Sequence, residues 1–186
     1  MKLMDMQFDS ISPEEAALSN AKVIITTRDE AGIVNKKVAV MLDTDLEYPA
    51  VAKAKILRSI AGPQADDQLL VGIDPGSRIG ISVIYLQQEI ASAVESSPGD
   101  AVEHVSALLG GIASRKKVVK IGDGDIAMAR LIARAIKFRF KDNVHVELVD
   151  ERGTSQNAEA NRRGARDRSS ARTIAFRSGK AFAAAR

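Results

Sequence analysis

The chain has 186 residues, 45% apolar and 27% charged, enough to bury a core as one large domain or as one domain with a small companion. It has no cysteine and only two histidines, His104 and His145. That excludes disulfides, thiolate zinc sites and a cysteine nucleophile, and leaves histidine-rich metal sites and a Ser-His-Asp triad poorly supported. Aromatic residues make up 4% and tryptophan is absent, which argues against stacking platforms for single-stranded nucleic acid. Oxygen ligands remain, and these suit hard cations such as Mg²⁺ or Mn²⁺.

The opening residues predict a small α/β unit. Ser12-Pro13-Glu14-Glu15 reads as a helix start: serine caps, proline fits the first turn, and acids meet the positive helix end. Residues 22–27 (KVIITT) and 37–42 (KVAVML) read as strands. Residues 48–60 read as a helix stopped by Ala61-Gly62-Pro63. The polar, turn-rich stretch 62–68 is the expected boundary, giving a domain of unknown role over 1–66 and a second domain over 67–186.

The second domain has a clear order. Residues 68–74 (QLLVGID) are an apolar strand ending in an acid, and Pro75-Gly76-Ser77-Arg78 makes the turn. Strands follow at 79–86 and 89–96, then a helix over 101–113 capped by Asp100. A fourth strand is expected at 117–121, a tight loop at Gly122–Asp125, and a helix over 126–140 for which Asp125 is the natural cap. A fifth strand is expected at 144–149, then helices at 156–163 and 167–178, the latter ending at Gly179. The prediction is an α/β fold: a five-stranded mixed sheet, a three-strand meander followed by two crossover strands, with helices on both faces. Right-handed crossovers would set strands four and five parallel to strand one, so their carboxyl ends share one edge.

Each of those ends carries acid. The candidates are Asp74, Asp123, and Asp150 with Glu151; Asp167 opens the last predicted helix, on a face shared with Ser170, Ala171 and Ile174. Clustered carboxylates raise one another's pKa, and a cation offsets that cost. Two ions about 4 Å apart at such an edge would activate water and stabilise a leaving oxygen in phosphodiester hydrolysis. Singly, Asp74 could be a turn residue, Asp167 a helix cap, and Asp150-Glu151 a loop pair. Their convergence is what favours chemistry.

The basic residues are uneven. Net charge is only +3, yet residues 151–186 hold nine basic and three acidic side chains. Arg162, Arg163, Arg166, Arg168 and Arg172 cluster beside the proposed acids, and phosphate contacts need such cations. Arg130, Arg134, Lys137 and Lys141 form a second stripe, read as the solvent face of an amphipathic helix. No apolar run approaches the ~20 residues of a membrane span, and the first residues lack a signal-type apolar region; a soluble, cytoplasmic protein with no membrane partner is expected.

Val71-Gly72-Ile73-Asp74-Pro75-Gly76-Ser77-Arg78-Ile79-Gly80 resembles the first-strand motif of RuvC-type and YqgF-type nucleases of the RNase H-like superfamily. Val149-Asp150-Glu151-Arg152-Gly153-Thr154-Ser155 is similar to the DER.T motif of the YqgF group, and Asp167-Arg168-Ser169-Ser170-Ala171 to its last-helix motif. The resemblance covers residues 68–180. It implies catalytic and metal-binding carboxylates at Asp74, Glu151 and Asp167, with Asp123 where the RuvC group carries an acid and Asp150 as the rival of Glu151. It implies Mg²⁺- or Mn²⁺-dependent cleavage of structured nucleic acid, Holliday junctions above all, by a homodimer. Arg78 and Arg152 join the arginine cluster as nucleic-acid contacts. The competing reading is a catalytically inactive nucleic-acid-binding or scaffold protein on the same fold. An actin-like phosphotransferase would need a duplicated domain, for which the chain is too short.

Overall fold

The structure is a computed structural model that describes residues 4, 6–34, 38–62, 67–151 and 163–183, Arg163 by its backbone alone. The chain forms two compact units, Met1–Asp66 and Asp67–Arg186.

In the first unit, Ser12 caps helix α1 (Pro13–Leu18). Its Oγ accepts from the Glu15 N–H, and the Glu15 carboxylate accepts from the Ser12 N–H. Strands β1 (Val23–Thr26) and β2 (Ala39–Leu42) pair in parallel, with Val23 opposite Ala39. Helix α2 (Pro49–Ala61) starts on proline and ends at Gly62, whose φ of +77° suits a residue without Cβ. Two small apolar clusters hold this unit, one around Met41 and Ile56, the other around Ile24 and Val34.

The second unit is an α/β domain on a mixed sheet. Its elements in order are β3 (Gln68–Asp74), β4 (Ile79–Tyr85), β5 (Gln88–Glu95), α3 (Pro98–Gly111), β6 (Lys116–Gly122), α4 (Ile126–Phe140), β7 (His145–Val149), α5 (Arg163–Phe176) and β8 (Lys180–Ala181). The strand order across the sheet is β5-β4-β3-β6-β7-β8. β6 runs parallel to β3 and β7 parallel to β6, while β4, β5 and β8 are antiparallel to their neighbours. The ends of β3, β6 and β7 therefore meet at one edge. β4 is buried at every residue, which requires cover on both faces. α5 covers one face, over β3 and β4; α3 and α4 pack together, α3 against β4 and β5, α4 against β6 and β7. Val71, Ile73, Ile81, Val119, Ile121 and Ile132 form the fully buried centre.

Four expectations are corrected. The sheet has six strands: the two-residue β8 pairs with β7, and its length is too short for a period-two pattern to reveal it. Ser97 caps α3, accepting from the Asp100 N–H at 3.1 Å; Asp100 sits at the third helical position. The last helix starts four residues before Asp167, so that aspartate lies inside α5 and is no cap. The hairpin turn between β4 and β5 is Leu86-Gln87, both with positive φ, one residue earlier than the strand pattern places it. The helix expected at 156–163 lies almost wholly outside the described residues.

Candidate active site

Asp74 ends the central strand of the sheet. Its register partner on β4 is Gly80, and Gly72 pairs with Ser82. Side chains two apart on a strand share a face, so Gly72 and Asp74 both face α5. The two glycines let that helix come close. A Cβ at Gly72 would strike the Ala171 carbonyl, and one at Gly80 the carbonyl of Asp167. The helix backbone at Asp167 thus rests directly beside the end of β3, and Ser170 one turn on hydrogen-bonds the Asp74 carboxylate.

Asp74 is half-buried, and its pKa is raised to about 6. Burial is the main cause, followed by the charge of Glu151; the Ser170 bond opposes the shift, Asp167 adds to it, and Arg166 opposes it. Charges from β3, from the segment after β7 and from α5 therefore act on one another.

Glu151 lies over the loop that follows β6. A Cβ at Gly122 or Gly124 would collide with its carboxylate, and the Gly124 N–H donates to it. Its pKa is raised, chiefly by burial, with a further push from Asp123. Asp123 joins the two strand ends: its N–H donates to the Val149 carbonyl at 3.0 Å, and its Oδ1 accepts from the Glu151 N–H at 3.1 Å. Asp150 takes a different position. It is exposed, its carbonyl accepts from Arg177, and it lines a cleft toward α4. Of the adjacent pair, Glu151 is the one that acts on Asp74.

The arginines divide. Arg78 Nε stands 3.9 Å from Asp167 Oδ2. Arg78 and Arg168 both reach toward Gly164 in the first turn of α5. Arg166 is exposed and within electrostatic reach of Asp74. Arg172 instead pairs with Glu89 at 3.7 Å, and Glu89 accepts from the buried Ser82 hydroxyl at 2.6 Å, so this arginine ties α5 to the hairpin. Arg152, Arg162 and the side chain of Arg163 lie outside the described residues. Asp125 caps α4, accepting from the Met128 N–H at 3.0 Å.

Sequence reasoning misses Ser170 as the hydrogen-bond donor to Asp74. It also misses Gly72, Gly80, Gly122 and Gly124 as the seats of α5 and of Glu151. Their signal is the run of glycines flanking strand-end acids, whose meaning depends on which element lies above them.

The donors are all carboxylate oxygens, and the raised pKa values of Asp74 and Glu151 mark negative charge that a hard divalent cation would offset. Among the described residues, no three His, Cys, Asp or Glu side chains stand together as the ligand set of one ion. Donor chemistry fits such a cation; a closed three-ligand site is not assembled. Neither a protein-family model nor a curated protein matches this sequence.

Proposed function

We propose that residues 67–186 form an RNase H-like nuclease domain of RuvC/YqgF type, which hydrolyses phosphodiester bonds of structured, branched DNA or RNA. The antiparallel trio β5-β4-β3 followed by parallel β6 and β7 supports that fold, with β8 as an added edge strand. One observation carries the reading: Asp74 ends the central strand opposite Gly80, on which the Asp167 backbone rests, while Glu151 is seated on Gly122 and Gly124 after β6, so acids from three elements come to one sheet edge.

Burial and the neighbouring Glu151 raise the pKa of Asp74 to about 6, which makes it a candidate to hold or release a proton. Ser170 orients its carboxylate, Asp123 fixes the backbone of Glu151, and Arg78, Arg166 and Arg168 offer positive charge to phosphates beside the acids. By the resemblance, Asp74, Glu151 and Asp167, with Asp123 beside them, are the carboxylates that would attract Mg²⁺ or Mn²⁺, which would supply charge neutralisation and an activated water; the described side chains do not themselves stand as a three-ligand set for one ion. By resemblance, the proposal extends to a homodimer acting in the cytoplasm; no described helix is long and apolar enough to cross a membrane.

A second reading, an inactive nucleic-acid-binding or scaffold module on the same fold, is favoured by the missing three-ligand group among the described residues. A cleavage assay with Mg²⁺ or Mn²⁺ on duplex, four-way junction, RNA–DNA hybrid and single-stranded substrates separates the two. The nuclease reading expects cleavage by the wild type and at least a hundredfold loss in Asp74→Asn, with binding retained. Binding without cleavage on any substrate selects the second reading.

A further inference from the structure

The basic stripe on α4 keeps Arg130, Arg134 and Lys141 exposed, as a solvent face requires, and only Lys137 is half-buried. Lys137 is drawn to the end of its own helix, where its ammonium donates to the carbonyls of Lys141 and Val144. Arg130 and Arg134 instead line a cleft of about 740 Å³ between α4 and the edge formed by β7 and β8. Lys180 of β8 lines it from the opposite wall. Three cations from two elements thus face one concavity. Among the described residues, no acid forms an ion pair with Arg130 or Arg134.

The cleft has a direction. Asp123 and Asp150, both following strand ends, stand in its lining at the carboxyl edge of the sheet. Asp123 is also hydrogen-bonded to the Glu151 backbone, so this end of the cleft adjoins the acid group around Asp74. Arg130 and Arg134 lie four residues apart on α4, an axial step of roughly 6 Å. That is comparable with the separation of successive phosphates along a nucleic-acid strand.

We propose that this cleft seats one phosphodiester strand of the nucleic-acid substrate. Consecutive phosphates lie on Arg130 and Arg134, and the strand passes Asp123 to reach the carboxylate group. The inference rests on the nuclease-domain reading and adds a second binding surface to it, on the α4 side and apart from the arginines of α5. Charge sets the polarity. Phosphates are drawn to the basic wall and repelled from the acid end unless a cation is present there. The cleft arginines meet phosphate, so they position the strand without reading its sequence.

The test uses the full chain, a fluorescently labelled four-way DNA junction, and EDTA to prevent cleavage. Binding is followed by anisotropy across a salt series. Replacing both cleft arginines (Arg130→Ala with Arg134→Ala) should weaken binding about tenfold or more. It should also reduce the slope of log affinity against log salt by about 1.8, near 0.9 for each phosphate that is no longer neutralised. Lys116→Ala, removing an exposed charge at the other end of β6, should change affinity less than twofold. Both arginines are exposed, so the melting temperature should stay within about 2 °C and separate weakened binding from unfolding. Unchanged affinity and slope in the double variant, with the wild type binding, overturns the cleft while leaving the nuclease reading intact. An equal effect per charge at Lys116 also overturns it, because overall charge would then explain the result. A wild type that does not bind the junction even at low salt overturns the nuclease reading, and the cleft with it.

Discussion

Asp74 gives the site a stability signature beside the chemical role proposed for it. Its folded-state pKa of about 6 lies above the ordinary 3.8, because burial and two neighbouring carboxylates disfavour its charge. The folded protein therefore binds a proton more tightly than the unfolded chain, and stability falls as pH rises through the window from about 4 to 6. Glu151 is shifted in the same direction and adds to the trend. Asp74→Asn removes the penalty, so at pH 7 without metal the variant should be more stable, by on the order of 1–2 kcal/mol once screening by solvent on the exposed side of the carboxylate is allowed for. The gain should vanish below about pH 4. Thermal unfolding of both proteins at either end of that range checks this; a variant less stable at neutral pH contradicts the assigned environment. Millimolar Mg²⁺ should raise the wild-type melting temperature and leave Asp74→Asn nearly unmoved, since a ligand bound only to the folded state stabilises it. Asp123→Asn tests a different atom. Asparagine Oδ1 can still accept from the Glu151 N–H, so the fold should hold, while loss of the charge should lower the pKa of Glu151, read by carboxyl titration in NMR. The acids at strand ends are legible in the sequence because a polar residue closing an apolar run is visible without coordinates. The choice of Glu151 over Asp150 is not: neighbours in sequence point to different sides, and only the glycines beneath Glu151 select it.

At the scale of elements, the placement of α5 decides whether the site exists. Gly72 and Gly80 sit on paired strands, and the helix backbone rests on both. Gly80→Ala forces a methyl group into the Asp167 carbonyl, and backbone cannot rotate away as a flexible side chain can. We expect a loss of about 2–3 kcal/mol in stability, as overpacking of a well-filled interior costs, and a displaced Asp167 with reduced metal-induced stabilisation. Gly32→Ala, where an added Cβ meets nothing, should cost under about 1 kcal/mol and serves as the control in the same urea titration. The far end of α5 is fixed separately: Lys120, on β6 beneath the helix, donates to the Arg177 carbonyl at 2.5 Å, placing positive charge at a helix C-terminus. These devices explain what the sequence discloses and what it withholds. Strands β3 to β7 are long, apolar and bounded by turn residues, and their runs are readable to within a residue or two. β8 is two exposed residues held by backbone pairing to β7, which leaves no hydrophobic pattern to read. The start of α5 is hidden because residues 163–166 carry charge and glycine where an amphipathic signal would be expected, so Asp167 reads as a cap.

For the whole molecule, each unit carries its own means of stability. The residues 67–186 bury β4 completely and close the β3 end remote from the site with a polar lock. The buried Asp67 carboxylate accepts from the Tyr85 hydroxyl at 2.7 Å and from the Arg115 N–H at 3.0 Å. Asp67 is the first residue of this unit, so a truncation that begins there keeps the lock, and one that begins at Gln68 loses it. A chain of 67–186 should therefore unfold in a single cooperative transition, as a domain with its own core does. A chain of 68–186 should be less stable by about 1–3 kcal/mol, because the bonds that the Asp67 carboxylate accepts from the Tyr85 hydroxyl and the Arg115 N–H are removed. Tyr85→Phe in the full chain should cost a similar amount, since it leaves the buried carboxylate short of one donor. Circular dichroism melts of the three proteins decide the matter. Equal stability of the two truncations would mean that Asp67 is a bystander. Failure of 67–186 to fold would mean that this unit depends on residues 1–66 for its core. If it folds, the proposed junction binding and cleavage can be tested on the truncated chain with the same two assays, and the nuclease proposal expects both there.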